Sequence, residues 1–465
     1  MGGRASRLAT ILRTSVPIIL WAALLLFASG FVPSLRSRAT RNDFAIYYVS
    51  ALEFRDGIDP YSTDFAPTAH QAGLEIKDIR KCTEPPLFLA LFAPLTRFAP
   101  LTAYSIWQAI NFISLVSALL LMLKGQSENS GSYGWTFAAL AFTYPPVLSH
   151  FWYGQSKLPI LLMLAIGARL LARGCDAAAG LILAFAGLLR IYPFVLAGYL
   201  VLERRWRAFA YMALGTATGG IAAVALVGPG NCLSFIRGLS YYLAMNQLIV
   251  KSGDNAPLAF AMRLSLGLEP VHALISLLGE RGLLTAINLV LLTLTTRATL
   301  LRRAGDDHEL RIFSLWVMTA IILPPVSWDY DMTLILIPFA GIAMAARGGR
   351  ASYRAIGMAV ASYALIAIWR FSGIGDTAKV SGIVANTVKE SASLSLIAAY
   401  CAAYWFAIHG AEESLPLWQV PRAAWSRIFQ PSLPQGDSKI TRKTRRTPSA
   451  PIKTKAMINA ASNNV

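Results

Sequence analysis

AAAGLILAFAGLLRIYPFVLAGYLVLERRWRA, residues 177–208, decides how the rest of the chain is read. It offers about two dozen apolar positions between a basic stretch upstream (Arg169, Arg173) and one downstream (Arg204, Arg205, Arg207). Two helical crossings of a bilayer would need about 20 residues each. A single crossing would carry Arg204, Arg205 and Arg207 to the non-cytoplasmic face, against the tendency of Lys and Arg to stay in cytoplasmic loops. A re-entrant hairpin satisfies both constraints. It breaks at Ile191-Tyr192-Pro193, because proline disfavours helix in the residue before it. Irregular backbone at membrane depth survives only against protein or water. Arg190, at the tip, therefore faces a polar cavity or an ion-pair partner, since an ionised group at depth costs at least a few kcal/mol. A phosphate would suit its two-pronged guanidinium; an internal ion pair or a snorkelled surface position would also satisfy it.

The composition agrees with a membrane setting. Of 465 residues, 55% are hydrophobic and only 14% charged, with a mean hydropathy of +0.51. Repeated apolar runs define an all-α integral membrane protein. The net charge of +18 lies between the apolar runs and in the tail, so it marks cytoplasmic loops and not a nucleic-acid partner. The four cysteines form no close pair; their spacing supports neither metal nor redox chemistry, and no disulfide is expected between Cys82 and Cys232. No phosphate-binding Gly-rich loop, dinucleotide fingerprint or zinc-protease motif is present, which argues against an ATP-driven pump or a nucleotide-using enzyme.

Orientation by Lys and Arg gives a polytopic helical bundle of about ten full spans plus the hairpin and interfacial helices. Residues 1–14 are a cytoplasmic N-terminus, and 15–32 a signal anchor leaving the cytoplasm. Residues 33–100 form a first outer loop. Spans follow at 101–123, 135–150, 158–171 and 209–227. Residues 228–270 form a second outer loop with a short helix at 258–266. The remaining spans are 283–301, 312–323, 332–346, 356–369 and 394–408. The membrane domain thus covers 15–409, and 410–465 is a basic, Ser/Pro-rich cytoplasmic tail expected to be disordered.

Three outer-facing places hold polar groups. In RNDFAIYYVSALEFRDG (residues 41–57) the apolar stripe Phe44, Tyr47, Tyr48, Ala51, Leu52 predicts an amphipathic helix lying in the interface, with Asp43 at its N-terminus. Asp43 reads either as a helix cap or as a general base at the membrane surface. Glu84-Pro85-Pro86 and the turn holding His150, Gln155 and Lys157 form the second place; Lys157 could equally snorkel. The third is PPVSWDYD, residues 324–331. Asp329 and Asp331 suit a helix N-terminus, while Trp328 beside Asp329 also suits a sugar-handling surface.

These stretches, in this order, resemble glycosyltransferase family 87: DFAIYYVSALEFRDGIDPYS, EPPLFLALFAPL, YGQSKLPILLMLAIGARLLARG, the hairpin, NQLIVKSGDNAPLAFAMRL and PPVSWDYDMTLILIP, from about residue 43 to 338. The resemblance implies the GT-C architecture and a polyprenyl-phosphate-sugar donor. It implies a lipid or glycan acceptor, and an active site on the non-cytoplasmic face of the cell (inner) membrane. It places the family's general base on Asp43 and its basic residue before Tyr-Pro on Arg190, where Lys is commoner. Its Ser-Trp-Asp segment falls on Ser327, Trp328 and Asp329; Tyr330 stands where relatives often carry His. Lys157 would assist Arg190 at the donor phosphate. Trp328, Asp329, Asp331, Gln155, His150 and Asn246 are the candidate acceptor or sugar contacts. No cofactor or metal is expected, and the partners are the sugar donor, the acceptor and membrane lipids, not nucleic acid. The alternative is a secondary transporter or lipid-linked-sugar flippase, because a broken hairpin holding an Arg also suits such proteins.

Overall fold

The computed structural model describes residues 22, 25, 34–62, 64–75, 82–123, 131–244, 254–265, 269–301, 308–347, 351–371 and 383–408. The expected anchor at 15–32, apart from residues 22 and 25, the tail at 410–465 and Asn246 lie outside the described residues. Among the described residues the chain is helical, with one isolated antiparallel bridge, Asp254 to Trp328.

A cap of short helices comes first: α1 (Leu35–Arg41), α2 (Asp43–Arg55), α3 (Ala66–Gln71) and α4 (Pro86–Phe92). Next come α5 (Pro100–Leu123), α6 (Gly131–Thr143), α7 (Pro145–Tyr153), α8 (Lys157–Ala172), α9 (Asp176–Leu189), α10 (Leu196–Leu202), α11 (Trp206–Val227) and α12 (Pro229–Ala244). The chain closes with α13 (Pro257–Ser265), α14 (Glu269–Leu300), α15 (His308–Ile322), α16 (Leu336–Arg347), α17 (Tyr353–Phe371) and α18 (Ile383–Ile408).

Among the described residues six stretches are long and apolar enough to cross a membrane: Pro100–Leu123, Trp206–Val227, Glu269–Leu300, Asp329–Ala346, Tyr353–Phe371 and Glu390–Ile408. Each overlaps a span expected from the sequence. The third is broken at Gly279 (φ 67°, ψ 164°), so its apolar part begins close to the expected residue 283. Three other expected spans take a different form. Residues 135–150 do not make one helix, because Pro145 and Pro146 interrupt it and Tyr144 is extended (ψ 119°), separating α6 from α7. Helices α8 and α15 have only 16 and 15 residues, and α15 is buried at every position from Ile312 to Ile322. A helix enclosed by other helices is all apolar without having to reach both faces of a bilayer.

The amphipathic interfacial helix is the clearest departure. Helix α2 buries Phe44, Tyr47, Tyr48 and Ala51 as its stripe requires, but also Ala45, Val49, Ser50 and Glu53. It packs against α1, α4 and the Ala93–Arg97 turn, with the stripe residues Phe44 and Tyr47 against Phe88 and Phe92 of α4, and its burial extends beyond the stripe.

Residues 176–205 fold back on themselves. Arg205 Nη1 lies 3.1 Å from Asp176 Oδ1, and its Nη2 donates to the Leu171 carbonyl at 3.4 Å and pairs with Glu309. Between these feet rise α9, 14 residues or about 21 Å long, a 3₁₀ turn (Tyr192–Val195) and α10. Helix α9 packs closely on α11 through small residues. A Cβ at Gly180 would stand 2.2 Å from the Ala208 carbonyl oxygen.

Candidate active site

Helix α5 builds the floor of the site. Tyr104, Trp107, Gln108 and Asn111 recur at i, i+3, i+4 and i+7, so they share one face. All four are buried in a helix that carries no charged residue. They donate to the carbonyls at the end of α7 and in the following turn. Tyr104 Oη and Gln108 Nε2 reach Phe151 O (3.2 and 2.8 Å), Trp107 Nε1 reaches Gly154 O (2.8 Å), and Asn111 Nδ2 reaches Gln155 O (3.1 Å). These are the carbonyls that a helix C-terminus leaves without intrahelical partners. Gly154 makes the turn in the left-handed region (φ 68°), with Phe44 Cβ 2.8 Å from where its own Cβ would be.

The turn thereby aims Gln155, Ser156 and Lys157 at three other elements. Gln155 Nε2 donates to Asp43 Oδ2 at 2.5 Å, and its Oε1 accepts from the Tyr47 hydroxyl at 2.5 Å. Asp43 and Tyr47 are one helical turn apart on α2, which puts both on the same side. The Tyr47 hydroxyl accepts in turn from Arg190 Nη2 at 2.8 Å. Burial and the Glu84 carboxylate hold the Tyr47 phenol well above its ordinary pKa, so it remains a donor.

Arg190 stands at the break after α9, in extended backbone (φ −150°, ψ 127°). Its Nη1 pairs with Glu84 Oε1 at 2.8 Å, while Nε and Nη2 donate to Ser156 Oγ at 3.0 and 2.7 Å. Glu84 is 3% exposed, and its Oε2 has no hydrogen-bond partner among the described residues. Burial pushes the Glu84 carboxyl upward, with Arg190 and Lys157 pulling it down. Lys157 makes the parallel pair: its Nζ is 2.5 Å from Asp331 Oδ1 and 5.2 Å from the Tyr192 ring. Asp331 Oδ2 accepts the Trp328 N–H at 2.9 Å. Trp328 stacks on Tyr330 (6.4 Å, 27°), whose edge meets Tyr153 at 5.8 Å.

Of the residues chosen from the sequence, Asp43, Gln155, Lys157, Arg190, Asp331 and Trp328 thus belong to one connected cluster. Asp43 opens α2, but the N-cap position is Asn42, whose side chain donates to Trp152 O and not to its own helix. His150 is fully buried, and its Nε2 accepts the N–H groups of Lys157 (2.9 Å) and Leu158 (3.1 Å). It caps α8 from outside. Asp329 is buried, at 6% exposure. In the sequence Glu84 reads only as an acid before two prolines, and nothing there sets apart the Tyr47 hydroxyl or Ser156. Four polar side chains at helical spacing inside an apolar span are the available signal for the α5 ladder.

Membrane-length helices together with a buried cluster of paired acids and bases mark a membrane-embedded protein. The family is more specific. Residues 83–325 match glycosyltransferase family 87, and the chain belongs to that family. It is a membrane glycosyltransferase by that membership and by the helices, among the described residues, that are long and apolar enough to cross a membrane. The match includes Glu84, Gln155, Lys157 and Arg190; Asp43 and the Trp328–Asp331 turn lie beyond its ends. Comparisons with curated proteins and with solved structures each returned no match.

Proposed function

We propose that the protein moves a mannose-like hexose from a polyprenyl-phosphate-sugar donor to a lipid or glycan acceptor. The reading places the site on the non-cytoplasmic face of the cell (inner) membrane, in a GT-C-like fold of about ten spans with residues 176–205 as a re-entrant hairpin. One observation carries it: the unbroken hydrogen-bond path Asp43–Gln155–Tyr47–Arg190, which joins a carboxylate to a guanidinium within one cluster.

In this reading Asp43 takes the proton of the acceptor hydroxyl as that oxygen attacks the anomeric carbon. The carbon–oxygen bond to the phosphate breaks on the opposite face, inverting the configuration as in other single-displacement sugar chemistry. The departing electron pair stays on the phosphate. That leaving group is a stable anion, so it needs positive charge more than a proton. Arg190 and Lys157 supply the charge. Asp331 occupies one direction of the Lys157 ammonium, which has three N–H groups to donate. Glu84 and Asp331 keep the two cations fixed before the donor arrives, so little reorganisation accompanies the reaction. The stacked pair Trp328 and Tyr330 offers a face for the sugar C–H groups.

The test is Asp43→Asn, reconstituted in proteoliposomes with radiolabelled polyprenyl-phosphate-mannose or -glucose. Transfer is abolished while the thermal midpoint stays near wild type. Wild-type turnover in this variant rejects Asp43 as the base.

A further inference from the structure

The turn that holds Trp328 and Asp331 follows Pro324 and Pro325, neither of which can donate a backbone hydrogen bond. A loop of this kind needs an external template. It finds one in the second connecting loop. Asp254 Oδ1 accepts the Ser327 N–H at 2.9 Å and the Ala256 N–H at 3.0 Å. The Asn255 N–H donates to Ser327 O at 2.6 Å, and Asp254 forms the antiparallel bridge with Trp328. Both sides of residue 327 are therefore fixed from residues 254–255.

The template is itself anchored. Arg263 Nη1 donates to Asp254 O at 2.9 Å, and the same guanidinium forms a two-pronged pair with Glu390 (2.7 and 2.9 Å) and donates to Ser393 (2.9 Å). Helix α18 thus holds α13, α13 holds Asp254, and Asp254 holds the turn. One residue beyond Ser327, the Trp328 N–H binds Asp331 Oδ2, and Asp331 Oδ1 binds Lys157. Asp254 is 0% exposed and reaches no ligand itself.

We propose that Asp254 is a positioning residue: its Oδ1 locks Ser327, and through it the Trp328–Asp331 turn, so that the Lys157 ammonium is held at the donor phosphate. This rests on the sugar-transfer reading above for what Lys157 does. The oxygen as acceptor is what matters, not the charge, so Asn at this position keeps the function.

Three variants separate the alternatives. Asp254→Asn retains Oδ1; Asp254→Ala removes both hydrogen bonds. Asp254→Ser keeps a short oxygen for the Ala256 turn but falls short of Ser327, which keeps the test alive should the Ala variant not fold. Two readouts are taken on the full-length protein in proteoliposomes: amide hydrogen exchange over residues 326–332, and kcat and KM for radiolabelled polyprenyl-phosphate-mannose or -glucose. Expected is faster exchange in that segment for Ala and Ser, with kcat lowered at least about tenfold, as small misplacements near a reacting centre produce. Asn stays within about threefold of wild type in both. Unchanged exchange in Ala and Ser overturns the proposal. So does faster exchange with unaltered kinetics, or an Asn variant that behaves like Ala. If the wild type transfers sugar from neither donor, the functional reading fails, and the exchange data alone decide whether Asp254 holds the turn.

Discussion

Replacing Arg190 by Met removes the guanidinium while leaving a chain of similar length. The pair it leaves is close and enclosed: Nη1 to Glu84 Oε1 is 2.8 Å, with side chains 13% and 4% exposed. At an effective dielectric of about 20, two unit charges at that separation attract by about 6 kcal/mol. Desolvation offsets part of this. Deleting one partner of a buried pair costs about 3–5 kcal/mol, because the other charge is left uncompensated. Burial already raises the Glu84 carboxyl. Without Arg190 it takes up a proton, which holds the loss near the lower end, about 3 kcal/mol. The cost to transfer is separate. Losing a charged donor at the leaving group slows the reaction about 10²–10³-fold. Arg190→Met combined with Glu84→Leu separates the two effects. The double variant leaves neither partner of this pair as an uncompensated charge, so its thermal midpoint returns to wild type or above, while transfer stays as low as in the single variant. Melting in detergent and radiolabelled transfer in proteoliposomes measure both. Recovery of transfer to within about tenfold of wild type in the double variant refutes a role for Arg190 at the phosphate, and reduces it to a counter-ion for Glu84.

Three other outcomes are expected. Gln155→Leu cuts the link between Asp43 and Tyr47 and lowers kcat about 10–100-fold with little change in thermal midpoint; unaltered kcat in the proteoliposome assay contradicts the relay. Glu53, fully buried on α2, has its pKa raised to about 7, by burial foremost and by the acids Asp64 and Asp59. The folded state therefore binds this proton more tightly than the unfolded chain, so stability falls as pH rises from about 4.5 to about 7, and Glu53→Gln stabilises by up to about 3 kcal/mol at pH 8 but not at pH 4. Melting curves at the two pH values check this. Gly180→Ala forces a methyl group to 2.2 Å from the Ala208 carbonyl oxygen and destabilises by about 1–3 kcal/mol, seen as a lower thermal midpoint.

Hydropathy and charge made the long helices legible. They could not show where an apolar run is enclosed, so α15, buried at every position from Ile312 to Ile322, reads like the longer helices although it has only 15 residues. They also misjudged α2, because a stripe pattern reports one face that must be covered and says nothing of burial beyond it, here at Ala45, Val49, Ser50 and Glu53. In the site, Asp43, Gln155, Lys157 and Arg190 stood out as polar groups at element ends and breaks. Their partners did not. Glu84 lies 106 residues before Arg190, and Asp331 lies 174 after Lys157; nothing local in either stretch encodes the pairing. At His150 the ring Nε2 accepts the two N–H groups that open α8, a structural use that its place beside a polar turn does not reveal in the sequence.

The clasp at Arg205 turns α9 into a ruler. With both feet of the arch tied at one guanidinium, the height and bearing of Arg190 depend on how many residues separate it from Asp176. Adding one residue to α9 would raise the tip by about 1.5 Å and swing it by about 100°, away from Glu84, Tyr47 and Ser156 together. Length in this segment is therefore as tightly constrained as side-chain identity, and an insertion that leaves every site residue intact would still disarm the enzyme.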